Sequence, residues 1–359
     1  LSDQSRNVLA KLDAPLQMTV FAQDTGFQQY RDRLKEFEYG SKQVKTDYID
    51  PEKKPALARE YQIQQLGTIM LQYKGRTERI TSDSEQDLTN GIIKVVTGQQ
   101  KKVYFTQGHG EKDTTATARD GYGTIAAALK AENYTVDKVV IAQTGAVPDD
   151  ASVVVVAGPR TDLFTPEIDA LKKYLQKSGK LLLLLDPPDL GKTDVPLTNV
   201  IALAHEWGMD VSGDVIVDAS GMGRLFGAGP GVVVAASCPA HPITERFSIL
   251  TAFPLARPVT VVSGGVNGHT AQAIVESSPK SWAEHDLKSL GAGEVSLDTA
   301  KGDKAGPISV AAAVSATSTP AAGPDAKAEG PKPETRVVVF GDSDFPTDSA
   351  LGIQGNRDL

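Results

Sequence analysis

Along the first hundred residues the apolar positions switch between a period of two and a period near 3.6. LQMTVF (16–21) is a short apolar run with β-branched content, long enough for a buried strand. In FQQYRDRLKEF, Phe27, Tyr30, Leu34 and Phe37 recur at helical spacing and mark one face of a helix. VKTDYID (44–50) alternates like a strand, and Pro51 and Pro55 open a helix through Tyr61. GTIMLQYKGRTERI (67–80) holds two alternating runs around Lys74-Gly75, a hairpin signal. Ser82 to Ser84 supply capping residues for a helix in EQDLTNGIIKVV. The predicted order is β-α-β-α-β-β-α.

That order is thioredoxin-like, so residues 1–100 are read as a thioredoxin-like domain. Where the first helix begins the sequence is AQDTGFQQ, without cysteine. Thiol–disulfide exchange needs a thiolate, so this domain is expected to be a scaffold without redox activity.

From Lys101 the pattern changes to strands alternating with longer helices. KKVYFTQ, VDKVVIA and ASVVVVAGP read as strands, and DGYGTIAAALKAENY as a helix with Tyr122, Ile125 and Leu129 on one face. TPEIDALKKYLQKSGK carries clear helix signals: Thr165 as N-cap, Pro166 at the first helical position and Gly179 at the stop. LLLLLDPP is apolar on both faces, as a central parallel strand requires. This alternation predicts right-handed βαβ units and a doubly wound α/β sheet over 101–359, with a strand-rich extension at 195–300. Residues 315–335, an Ala/Pro/Gly/Lys tract without apolar period, are expected to form a low-complexity loop. The loop separates two strands, PISVAAAV and TRVVVFGD, expected to pair or neighbour in the sheet.

Composition narrows the function classes. A formal net charge of -8, with no run of Lys and Arg interleaved with aromatics, argues against nucleic acid as a partner. One cysteine, Cys238, excludes an internal disulfide framework and a multi-cysteine zinc site. No apolar stretch reaches the ~18–20 residues of a membrane span.

The candidate chemistry collects at the carboxyl ends of predicted strands, where open α/β sheets bind ligands. His109 and Glu111 lie in VYFTQGHGE, Arg160 in GPRTDL, Asp186 in DPPD, and Asp342 and Asp344 in GDSD. Carboxylates with a histidine could hold a polar ligand; no metal and no cofactor is expected. Glycine also serves tight turns at positive φ, and aspartate after a strand commonly caps the next turn, so each residue has a purely structural reading too. Cys238 and His241 in SCPAHPIT lack an orienting acid and a helix to align them, so no catalytic pair is assigned. The glycines of GMGRLFGAGPG lack the lysine of a phosphate-binding loop.

In order and spacing, several segments together are more specific than any one alone. SRNVLAKLDAPLQMTVF, VYFTQGHGE, VVVVAGPRTDL, LLLLLDPPD, HPITERF, TAFPLARPV, SWAEHDL and VVVFGDSDFPTD…GNRDL run through nearly the whole chain. On these the chain resembles the auxiliary, extracytoplasmic subunit of gliding-motility-type ABC transporters, the GldG family. The resemblance implies a thioredoxin-like domain followed by an α/β domain similar to class I glutamine amidotransferases and to the N-terminal domain of an intraflagellar-transport protein. It also implies a periplasmic location, membrane anchoring through flanking spans outside this chain, and ABC permease and ATPase subunits as partners. A small molecule or polymer could serve as ligand.

Glutamine amidotransferases need a cysteine on a strand-to-helix elbow, and neither AGPR after 153–157 nor DPPD after 181–185 carries Cys or Ser at the turn. The expectation is therefore a pseudoenzyme: a non-enzymatic accessory subunit that engages a ligand or partner through the rim residues. Two alternatives are a hydrolase or amidotransferase-like enzyme on the same rim, and a purely structural protein–protein module.

Overall fold

A computed structural model describes residues 1–359 except 62, 64, 99–100, 133, 189–195, 227–228, 236–237, 246, 292–295 and 318–332. The chain divides into two compact units, residues 1–101 with 131–134, and residues 102–130 with 135–359.

The first unit opens with helix α1 (Asp3–Ala10), capped by the Ser2 side chain accepting from Ser5 N–H. Apolar periodicity gives no sign of this helix, whose apolar side chains, Val8, Leu9 and Ala10, fall consecutively at its end. Then follow β1 (Leu16–Phe21), α2 (Phe27–Gly40), β2 (Val44–Ile49), α3 (Pro55–Glu60), β3 (Thr68–Tyr73), β4 (Arg76–Ile80) and α4 (Glu85–Thr97). The strands form one sheet in the order β2-β1-β3-β4, with β1 parallel to β2 and antiparallel to β3. Lys74 and Gly75 both take positive φ (46° and 79°), which joins β3 to β4 by a tight turn matched to strand twist. Alternation in β1 sends Leu16, Met18 and Val20 to a core with Leu34 and Phe37 of α2 and Leu88 and Ile92 of α4. Phe21 packs on the other face with Ile49 and Met70.

The second unit is built on a seven-stranded sheet. Its strands and helices begin with β5 (Lys101–Thr106), α5 (Gly123–Ala131), β6 (Tyr134–Val139), α6 (Ile141–Thr144), β7 (Ala151–Ala157), α7 (Thr165–Gln176), β8 (Lys180–Leu184) and α8 (Thr198–Glu206). Short strands follow: β9 (Met209–Val211), β10 (Val215–Asp218), β11 (Val232–Ala235), β12 (Thr251–Pro254), β13 (Val259–Val261), β14 (Gln272–Glu276) and β15 (Ser281–Glu284). Helix α9 (Leu287–Gly291), β16 (Lys304–Ala305), β17 (Ser309–Thr317) and β18 (Glu334–Phe340) complete the set. The main sheet has the order β14-β17-β18-β8-β7-β5-β6. Strands β5, β7, β8 and β18 run parallel, and β17 and β14 continue the sheet antiparallel. The sheet is therefore mixed rather than parallel throughout.

LLLLL occupies the middle of that sheet, paired on both sides as its two-faced apolarity requires. On one face Val154, Val156, Leu181, Leu183, Val337 and Val339 meet Ile168, Leu171 and Leu175 of α7 and Val200 and Leu203 of α8. The opposite face carries Phe105 against Tyr122 and a cluster of Phe253, Phe340 and Phe345. The extension builds three small sheets: β10-β15-β16, β11-β12 and β13-β9. Of the low-complexity tract 315–335, residues 318–332 lie outside the described residues, whereas Ser315–Thr317 and Glu334–Thr335 belong to the paired strands β17 and β18.

Helix α7 starts at Thr165 but its N-cap position is Phe164, not Thr165. Glu167 accounts for the difference: its carboxylate reaches back to accept from Phe164 N–H at 3.0 Å, closing the first turn without a hydroxyl cap.

Candidate functional site

Four adjacent parallel strands end on one rim, and their loops carry all six residues singled out from the sequence. They form two clusters.

The first is organised by β18 and β8. Leaving β18, the chain turns sharply because Asp342 accepts from Asp344 N–H (2.7 Å) and Phe345 N–H (3.2 Å). Ser343, between the two acids, is fully buried. It donates from its backbone N–H to one oxygen of Asp186 (2.6 Å) and from Oγ to the other (2.7 Å). The Asp186 carbonyl accepts from Nη1 of buried Arg257 at 2.9 Å, whose Nε donates to Ser212 O at 2.6 Å. Tyr122 OH donates to the Ser343 carbonyl at 2.6 Å. Gly158, after β7, is needed here twice over: its φ is +61°, and a Cβ would fall on Ser343 Oγ and approach Asp186 Oδ2.

Electrostatics follow from this packing. Burial raises the Asp186 carboxyl above the usual carboxylate range, and the Asp344 charge adds to the rise, while the Ser343 bonds and Lys112 oppose it. Asp342 is raised further, by complete burial and then by Asp186. Tyr122 is pushed well up by burial and by the three acids. Asp344 is the outward member, 2.5 Å from Lys112 Nζ.

The second cluster centres on His109, at the end of β5. Its imidazole is buried and Nε2 lies 2.6 Å from Glu167 Oε2 of α7, itself buried. The other Glu167 oxygen accepts from Ala142 N–H at 3.0 Å. With Nε2–H donating to the carboxylate, Nδ1 is the acceptor for Thr161 Oγ1, 3.4 Å away. The His109 carbonyl takes Arg160 N–H (2.8 Å) and Thr161 N–H (3.1 Å), so this one residue ties the β5 loop to the β7 loop. Glu111 turns back to accept from His109 N–H at 2.7 Å, while its Oε1 is buried without a partner among the described residues. Arg160 is exposed, its stem lying along Gly110, whose φ of +83° shapes the turn.

The structure thus brings Asp186, Asp342 and Asp344 together, and His109, Glu111 and Arg160 together. The side chains of His109, Glu111 and Asp344 end on three different partners: Glu167, the His109 backbone and Lys112. Among the described residues no group of three His, Cys, Asp or Glu side chains could hold a metal ion. Cys238 is partly buried, and burial raises its thiol. Sequence reading missed Glu167, Ser343, Tyr122, Arg257 and Lys112. Only Ser343 had a local signal, as the residue between two acids that follow a strand.

Comparison with known proteins places the second unit. A family model described as "ABC-type uncharacterized transport system" matches residues 100–358. The chain belongs to this family. The match agrees with the GldG-type auxiliary component suggested by the sequence motifs, and it makes the protein an auxiliary part of an ABC-type transport system. Residues 1–93 match a domain of unknown function. No curated protein matches. Among solved structures, the mmIFT52 N-terminal domain is similar at 16% identity and a TM-score of 0.48, over 71% of this chain and 92% of that one. A ThuA-like protein from Bacteroides uniformis is similar at 11% identity and a TM-score of 0.33, over 70% and 87%. One from Parabacteroides merdae gives 10% and 0.35, over 67% and 78%.

Proposed function

We propose that this member of the transport family is a non-enzymatic accessory subunit, which engages a ligand or a partner subunit through the rim of the seven-stranded sheet, with the ABC permease and ATPase as its partners. One observation carries the reading: the rim groups suited to catalysis are spent on holding the loops. Ser343 is buried and its hydroxyl is committed to Asp186. Both Asp342 oxygens accept from backbone N–H groups, and His109 Nε2 is committed to Glu167. A nucleophile and base need to face a substrate, and these face inward. What the rim offers outward is Arg160, Phe164 and Asp344.

The finer architecture is part of the same proposal. The first unit is read as a thioredoxin-like scaffold, which without cysteine cannot exchange disulfides. The second is read as an amidotransferase-like sheet that has lost the chemistry, since fold alone does not carry function. An extracytoplasmic, periplasmic location at the membrane, and a part in gliding-type motility, follow from the GldG-type resemblance.

The test is protease access in intact spheroplasts combined with activity screening of the purified protein. Digestion from outside and no turnover of ester, amide or glutamine substrates are expected. Turnover abolished by Ser343→Ala or Asp186→Asn, in variants that still melt cooperatively, would refute the non-enzymatic reading. Protection from protease would refute the location.

A further inference from the structure

We propose that Phe164 and Arg160 form the anchor of a protein-docking surface, which takes a partner segment presenting a carboxylate beside an aliphatic or aromatic side chain. The proposal rests on the rim being an engagement surface and names the part of it that does the engaging.

Phe164 stands where helices favour Ser, Thr, Asp or Asn, whose side chains accept from the first-turn N–H groups. It makes no such bond. The turn is closed instead by Glu167 accepting from Phe164 N–H. Nor does the ring serve the core, since the apolar clasp across this turn is made by Leu163 and Ile168, 1% and 5% exposed. The Phe164 ring is left 62% exposed. A residue that breaks the local capping rule while most of its ring stays in solvent points to a demand from outside the fold.

Arg160 supplies the second half. Its guanidinium is exposed and has no carboxylate partner among the described residues, whereas neighbouring Lys112 is committed to Asp344. In a chain of net charge -8, such a cation selects for an incoming carboxylate, which a guanidinium can hold by two parallel bonds. The two are four positions apart, so their Cα atoms lie within about 14 Å, less than the width, on the order of 30 Å, of a round patch of the roughly 800 Å² that one partner contributes to a stable interface.

Both positions are braced through His109 before any partner arrives. The Phe164 ring meets the His109 ring edge-on at 5.1 Å, and Arg160 donates its N–H to the His109 carbonyl. His109 is pinned by Glu167. The backbone that carries both is therefore fixed, and the Phe164 ring is already seated against His109, so part of the ordering cost of binding is met in advance. One unpaired cation is too few for an anionic membrane surface, which favours a protein segment.

The experiment pans a random dodecapeptide display library against the purified protein, then measures the best synthetic peptide against variants. Enriched peptides should place Asp or Glu within a few residues of Leu, Ile, Phe or Trp. Phe164→Ala and Arg160→Ala should each weaken binding by about 30-fold, the scale of a hot spot. Asp344→Asn, the other outward residue of the rim, should weaken binding by less than either. Unchanged affinity in the Phe164 and Arg160 variants, enrichment without acidic residues, or no enrichment would overturn the proposal. Loss of binding in Asp344→Asn alone would overturn this anchor but keep the rim as an engagement surface. If no rim substitution mattered, both would fall.

Discussion

Ser343 and Asp186, 157 residues apart in the chain, are joined by two bonds: the Ser343 N–H and hydroxyl each occupy one oxygen of the Asp186 carboxylate. Through this pair the loop after β18 is held to the loop after β8.

The same pair gives the protein a pH dependence of definite sign. Asp186 and Asp342 have folded-state values raised above their unfolded ones. A raised acid makes the folded state the stronger proton binder. The stability it contributes is present below the unfolded carboxyl value near 3.9 and is lost as pH rises through the folded value. Asp186→Asn keeps an oxygen for the Ser343 N–H and an NH₂ for its hydroxyl oxygen, and removes one of the two titrations. From pH 4 to 8 the melting temperature of wild type should therefore fall relative to that of Asp186→Asn. A constant gap between the two curves would contradict the assignment.

Gly158→Ala places a methyl group at a left-handed φ and against Ser343 Oγ. The backbone alone should cost about 1–3 kcal/mol, and displacing the Ser343–Asp186 pair should add to it. Urea denaturation measures the loss; Gly145→Ala is the control, with φ +68° but nothing within 4 Å of its Cβ. Equal losses in the two would mean that the contact with Ser343 does not matter.

Glu167→Ala removes one carboxylate that satisfies His109, Phe164 N–H and Ala142 N–H. Buried donors left without acceptors cost about 1–3 kcal/mol each, so a loss of roughly 3 kcal/mol is expected, with Glu167→Gln milder. Hydrogen exchange should localise the loosening to the 107–112 and 158–165 loops. Global loosening with those loops still protected would contradict the bracing role given to His109.

What could be read from the sequence was what is local. Lys74-Gly75 reads as a hairpin because the turn's demand for positive φ is met by its own two residues. The doubled apolarity of LLLLL reads as a central strand for the same reason. The rim acids are legible as residues that follow strands. Their partners are not: Glu167 lies 58 residues from His109, and on the α7 period nothing distinguishes it from a solvent-facing acid. Arg257 sits in a loop of the extension, with nothing in its own segment to announce that it holds the Asp186 carbonyl. The antiparallel pairing of β17 with both β18 and β14 is hidden likewise, since strand direction is set by the connections and not by the residues within a strand.

The most direct test of the whole account is quantitative co-purification of the tagged protein, at native abundance, from detergent-solubilised membranes of its own cells. The permease and ATPase of one ABC system should be recovered near stoichiometry with wild type. Phe164→Ala/Arg160→Glu, which leaves the buried rim intact, should retain its own yield and melting temperature while losing most of that recovery. Absence of both transporter subunits from the wild-type preparation would contradict the account at its centre.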